Sequence, residues 1–358
     1  MTRSLLDFPP ELLVHILAFL PVRALLRFSQ TCRYSQSLAA SSLHTLSLGI
    51  HPSRVSGIIS NLAATQYLQP KKLASAFSLP EQPLSYPSSS RSSQSSRRSS
   101  IESDFLSEES VDDDDPYRVS VLIPDAQIFD YMTLLSFHTA LTKSILIRHG
   151  GTLRNLDLSL WTLTPSVAKA ISSLSALRAL SIRIEDFPHV RAVPRSRFAA
   201  QQVEQRHAWD ILTNTATFAP RLNALRIEAG ELTTPQLSLL LNQSRWCREL
   251  WLCRCALIGK ELWDFLGGEW EGRAALRILG VMRCGGQLDE ESLDCIGTLG
   301  RLQFLTLQGC HGVDSEAVEE RNTKEWHIPE VIPPLPRIEE QDASTVIEVD
   351  PAYIGNDE

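Results

Sequence analysis

The sequence predicts an α/β chain: three short helices lead into a short, irregular stack of strand–helix units whose parallel strands line a concave face. Three observations carry this. The stretch from Leu5 to Ser35 repeats apolar residues at helical spacing and is interrupted by proline. A six-residue phrase, apolar at its first, fourth and sixth positions, recurs down the rest of the chain. The hydrophobic fraction of 43% over 358 residues is enough for a substantial core, in one extended or two compact domains.

In chain order, Asp7 offers an N-cap, and Pro9 and Pro10 suit a first helical turn, where a missing N–H costs nothing. Leu12, Leu13, Ile16, Leu17, Phe19 and Leu20 then recur at spacings of three and four and cover more than one side of the helix. Pro21 breaks it and opens a second helix carrying Leu25, Leu26 and Phe28, and a third segment runs through Cys32 and Leu38. A unit of about 40 residues cannot bury so much apolar surface within itself, so part of that surface is expected to dock on another chain.

The order Leu6, Pro9, Glu11, Leu12, Ile16, Leu17, Leu20, Pro21, Leu25, Leu26, Cys32, Arg33 resembles an F-box. It departs from that family's pattern at Phe8, where Leu is more usual, and at Ser35, where Trp is usual. The resemblance implies a domain over residues 1–40 that binds a SKP-type adaptor and, through it, a cullin-RING ubiquitin ligase core. The residues it implies for adaptor contact are Leu6, Phe8, Pro9, Leu12, Leu13, Ile16, Leu17, Leu20, Pro21, Leu25 and Leu26.

The recurring phrase begins at Leu43, Leu153, Leu177, Leu222, Cys247, Leu276 and Leu302. From Leu153 onward the intervals are 24, 45, 25, 29 and 26 residues, most of them matching a leucine-rich repeat; the 45-residue gap needs an insertion or an unseen strand. Side chains alternate along a strand, so the fourth and sixth positions point one way and pack between neighbouring coils. The segments Pro165–Leu174, Pro235–Asn242 and Glu290–Leu299 read as the returning helices. Cys255, Cys284 and Cys310 each fall at a ninth position, where such repeats carry Asn or Cys against backbone groups. The alternative for these thiols, a zinc site drawing in Cys253 and His311, lacks paired CxxC spacing. Cys253 is expected on the concave face and Cys295 on a packed helix. Together the two signals resemble F-box proteins with leucine-rich repeats.

The rest divides by composition. Residues 41–84 read as a first strand–helix repeat with its connector. The Ser-rich, acidic residues 85–116 read as a disordered insertion, in which Ser99 and Ser100 follow Arg97 and Arg98, and Ser107 precedes Glu108 and Glu109. Phosphorylation at these serines and a plain solvated insertion are both open readings. Tyr117–Ile123 resumes a strand, Ile128–Thr142 reads as a helix, and the repeat domain spans 117–321. Within it, the insertion near 187–220 carries a helix with Val203, His207, Ile211 and Phe218 near one face. The acidic, Pro-containing tail 322–358 reads as extended, either packing over the last coil or free.

These features set the function expected. No P-loop, dinucleotide fingerprint, HExxH or nucleophile elbow occurs, so no enzyme activity, cofactor or metal is expected. A net charge of -8 without a basic stripe argues against nucleic acid, and the run LVHILAFL is too short to span a membrane. Seven cysteines without framework spacing point to reduced thiols in the cytoplasm or nucleus. The resemblance implies a receptor subunit that holds a protein substrate near the ligase; the alternative is a repeat scaffold that binds the adaptor without delivering substrate. Outward positions of the phrase place Arg183, Arg226, Glu228, Glu249, Trp251, Met282 and Phe304 on the concave sheet. Of these, Arg183, Arg226, Trp251, Met282 and Phe304 are the candidate substrate contacts, unless Trp251 is covered by the tail.

Overall fold

The computed structural model describes residues 8–52, 117–123, 129–185 and 195–334. Three helices come first: α1 (Pro10–Leu17), α2 (Val22–Ser29) and α3 (Arg33–Ser42). Pro10 occupies the first turn of α1, but the capping position is Pro9; Asp7 lies outside the described residues. The first helix ends at Leu17, so Phe19 and Leu20 lie in the turn before Pro21, which caps α2. Cys32 caps α3, its sulfur accepting the Ser35 N–H.

Among the described residues, nine strands then build one parallel sheet: β1 (Thr45–Pro52), β2 (Arg118–Ile123), β3 (Asn155–Leu160), β4 (Ala179–Ile184), β5 (Ala224–Glu228), β6 (Glu249–Cys253), β7 (Ile278–Met282), β8 (Phe304–Thr306) and β9 (Glu330–Ile332). Every recurring phrase lies on a strand, and successive phrases pair in register, Leu180 opposite Leu225, Leu250 opposite Leu279. The connections are α4 (Tyr131–His149), α5 (Pro165–Ser172), α6 (Arg195–Thr215), α7 (Thr234–Asn242), α8 (Glu261–Asp264), α9 (Glu290–Gly297) and α10 (Ser315–Arg321). Fourth- and sixth-position side chains, Leu156, Leu158, Leu180, Ile182, Leu225 and Ile227 among them, meet Val167 and Ile171 of α5, Trp209 and Leu212 of α6, and Leu237 and Leu241 of α7 in one core. Each buried Leu or Ile contributes about 1.5–3 kcal/mol, which is why the phrase fixes the register.

Three further features follow from how the strands pair. The strand β2 pairs with β1 on the side away from β3, so the sheet order is β2-β1-β3 and β2 is an edge. Among the described residues of the 45-residue interval there is no extra strand: β4 pairs directly with β5, and α6 is a longer connecting helix. Its buried face is Ala208, Trp209 and Leu212, whereas Val203 and His207 face solvent. Part of the tail is ordered, because Glu330–Ile332 adds a ninth parallel strand to β8; residues 335–358 lie outside the described residues, as do 53–116.

A turn unseen in the sequence repeats at the end of four strands. Ala229, Arg254, Arg283 and Gly309, the eighth positions of their phrases, all adopt a left-handed backbone. This conformation costs a non-glycine residue about 1 kcal/mol, and it re-aims the N–H of Ala229 and of Arg254 to the next strand, at Cys253 O and Met282 O, both 2.8 Å. The ninth-position thiols follow directly. Cys255 Sγ donates to Ile227 O (3.7 Å), Cys284 Sγ to Leu252 O (3.5 Å) and Cys310 Sγ to Val281 O (3.2 Å), each reaching the preceding strand.

Candidate functional site

Two surfaces collect the residues singled out by sequence. The first is the outer side of the N-terminal helices. On α1 the side chains divide sharply: Leu13 and Leu17 are buried, while Leu12 (50% exposed) and Ile16 (45%) project outward. Phe8 before the helix and Phe19 (76%) after it continue the exposed stripe, and Leu26 of α2 adds to it. Glu11, His15, Arg23 and Arg27 are exposed on the same two helices and give the stripe polar neighbours. An apolar centre with polar surroundings is how protein docking faces are built.

Of the residues implied for adaptor contact, Leu13, Leu17 and Leu25 are therefore corrected. They belong to the core that runs without a break into Leu46 and Leu48 of β1. The cause is the position of the three helices, which use one face to seal the end of the sheet and leave only the other free. Leu20 is half-buried against that core, Pro9 and Pro21 are exposed at helix starts, and Leu6 lies outside the described residues. Phe19, the most exposed apolar side chain of the unit, was absent from the expected set; it lies in the turn after α1, its N–H bonded to Ile16 O at 3.3 Å.

The junction is pinned by polar contacts as well. Thr152 Oγ1 donates to Leu43 O at 2.9 Å, His44 Nδ1 lies 3.0 Å from Thr152 O, and Arg154 N–H donates to His44 O at 2.8 Å. Ser35, where a bulky Trp is usual in F-box sequences, is buried, its Oγ 3.2 Å from Cys32 Sγ. Those Ser35 hydrogen bonds hold the exposed Cys32 thiol below its usual range.

The second surface is the sheet face opposite the connecting helices. Arg183 and Glu228 are partners across β4 and β5, and Glu228 is opposite Cys253 on β6. The Glu228 carboxylate is buried and takes three guanidinium groups: Arg183 Nε at 2.9 Å, Arg254 Nη2 at 2.9 Å and Arg226 Nη2 at 3.6 Å. Burial acts to lower the pKa of Arg183, but the carboxylates of Glu228, Asp157 and Glu185 outweigh it and raise the value.

Towards the C-terminal strands the same face turns apolar. Trp251 Nε1 donates to the Glu249 carboxylate at 2.7 Å and its ring lies 5.6 Å from that of Phe304. Trp251, Cys253, Ile278, Met282 and Phe304 form a separate buried cluster, with Ile332 packed against it. Trp251, Met282 and Phe304, expected as exposed substrate contacts, are thus corrected. Large side chains on strands about 4.8 Å apart cover one another, and exposures of 5%, 2% and 0% leave little to contact. Burial pushes the Cys253 thiol up to about 12. Arg183 and Arg226 remain partly exposed, joined by Arg254, which the sequence reading did not include.

Among the described residues no group of three or more His, Cys, Asp or Glu is placed to hold a metal ion, and no helix is long and apolar enough to cross a membrane. Ser99, Ser100 and Ser107 lie outside the described residues.

Compared with curated proteins, the chain finds no match. Compared with protein families, residues 5–45 match the family described as F-box-like, over the three helices of which the first two carry the exposed stripe. The chain therefore carries an F-box-like domain, a module that generally binds SKP-type adaptors.

Proposed function

We propose that this chain is a non-catalytic receptor subunit of an SCF-type ubiquitin ligase, working in the cytoplasm or nucleus. Its F-box-like helices dock on a SKP-type adaptor, and through it on the cullin-RING core. The strand–helix units, which we read as a leucine-rich-repeat solenoid, hold a protein substrate. The observation that carries the reading is the division of α1: Phe8, Leu12, Ile16 and Phe19 are exposed while Leu13 and Leu17 join the sheet's core. A helix free on one face and joined on the other, through α3, to the core that continues into the sheet gives a bound substrate a fixed orientation to the ligase, and the chain's contribution is effective concentration. The direct test is adaptor binding by the full chain with Leu12 or Ile16 replaced by Asp. Whether a captured protein is delivered for degradation is read from its accumulation when this chain is removed from cells.

A further inference from the structure

The sheet treats its arginines differently at two places. On the open face Arg183, Arg226 and Arg254 share the buried Glu228. At the rim where the chain enters the strands the cations have no such partner. The second positions of the recurring phrase form one backbone ladder there: the N–H of Arg178 donates to Arg154 O, that of Asn223 to Arg178 O, that of Arg248 to Asn223 O and that of Arg277 to Arg248 O, at 2.7–2.8 Å. The side chains of Arg154, Arg178, Arg248 and Arg277 are all exposed, and among the described residues none of the four has an ion-pair partner. In the loops that enter β3 to β7, residues 150–154, 173–178, 216–223, 243–248 and 265–277, the carboxylates are Glu269 and Glu271, and Glu271 is taken by Arg245 at 2.9 Å. Like charges on neighbouring strands, about 4.8 Å apart, destabilise a sheet, so Arg154 beside Arg178 and Arg248 beside Arg277 cost the free chain stability that a bound anion returns. Trp246, on the loop entering β6, is 64% exposed. Trp and Arg are the residue types in which binding hot spots are richest.

We propose that this strand-entry rim holds an extended acidic protein segment, the part of the substrate that the receptor reading above leaves unspecified and on which the word substrate rests. The strand order sets the spacing. Arg154 and Arg178 lead into β3 and β4, and Arg248 and Arg277 into β6 and β7, so the two pairs are centred three strand spacings, about 14 Å, apart. An extended chain covers that distance in about four residues, at about 3.4 Å each, and residues four apart point to the same side. One carboxylate then sits between the guanidinium groups of each pair, which take carboxylates in a bidentate fork, and an apolar side chain takes Trp246. Charge complementarity selects an acidic partner. A nucleic acid suits the rim less, because the row ends after about 19 Å and the net charge of -8 opposes a long polyanion.

The test uses the full chain without adaptor, so a chain that binds the probe but no adaptor refutes the receptor reading and leaves the acidic-segment site standing. The probe is a fluorescein-labelled twelve-residue peptide of Gly and Ser with Glu at its fourth and eighth places and Leu at its sixth, followed by fluorescence anisotropy. Arg178→Gln with Arg277→Gln, one from each pair, is expected to weaken binding at least about tenfold with the melting temperature unchanged or raised, because repulsion is removed. Trp246→Ala is expected to weaken it about fivefold. Arg301→Gln, an exposed arginine on the loop entering β8 and outside the row, is expected to change it less than about twofold. Absence of binding overturns the proposal. So does a loss with Arg301→Gln equal to that of the double substitution, since overall charge then accounts for binding. Tighter binding of a twelve-nucleotide deoxythymidine strand than of the peptide assigns the rim to nucleic acid and overturns the proposal as well.

Discussion

The indole of Trp251 lies over Gly280 on the neighbouring strand, so closely that a Cβ at position 280 would meet the ring at 2.2 Å. The glycine is there for space, not for backbone freedom. Because the same indole donates to Glu249 at 2.7 Å and touches Phe304, Gly280 decides whether the apolar half of the open face can form. Gly280→Ala is expected to displace the ring and cost about 1–3 kcal/mol, the usual penalty of overpacking. Urea unfolding would show it as a lowered midpoint at unchanged slope. Trp251→Leu in the same chain should remove most of the added cost, since the two residues are in contact.

The Glu228 carboxylate makes a second, opposite prediction. It is 1% exposed and holds three arginines, so Glu228→Ala removes the carboxylate that all three share, a change expected to cost about 3–5 kcal/mol. Arg254→Ala, removing the most exposed of the three, is expected to cost less than about 1 kcal/mol. Equal losses from the two substitutions, measured by denaturant unfolding, would contradict the assignment of Glu228 as the centre of the cluster.

His149 supplies a pH dependence. Burial, and secondarily the charge of Arg148, lower its pKa from the ordinary 6.5, and its Nδ1 is buried beside the junction of helices and sheet. A base whose pKa is lowered by folding binds its proton more readily in the unfolded chain. Its contribution to stability is therefore complete above about pH 6.5 and is lost as pH falls through that value towards the folded pKa. His149→Gln is expected to flatten the fall in melting temperature between pH 7 and pH 5 relative to the unaltered chain. An identical slope in both would remove His149 from the account.

The strand positions were legible because one physical rule writes them: fourth- and sixth-position Leu and Ile must all face the helices. Cys255, Cys284 and Cys310 were legible for the same reason, since the register that buries the leucines brings each sulfur to a carbonyl of the preceding strand. What failed were statements about exposure. Alternation places Trp251, Met282 and Phe304 on the open face, but burial there depends on which neighbours lie one strand away, and Gly280 beside Trp251 is a tertiary fact. Leu13 and Leu17 failed similarly: the helical spacing shows two apolar faces on α1 without saying which one the sheet takes. The left-handed residues Ala229, Arg254 and Arg283 carried no compositional signal, because tertiary hydrogen bonds, not glycine, hold the turn.

The central claim is that the N-terminal helices are a docking face anchored to the sheet, and Leu12 and Leu13, adjacent in sequence but 50% and 1% exposed, separate its two halves. The deciding measurement is calorimetric binding of the purified full chain to a SKP-type adaptor, with thermal melting alongside. The account predicts that Leu12→Asp weakens binding by at least about thirtyfold, the loss of one hot-spot contact, without moving the melting temperature. Leu13→Asp should instead lower the melting temperature, because it places a charge in the core. Adaptor affinity unchanged by Leu12→Asp would contradict the account.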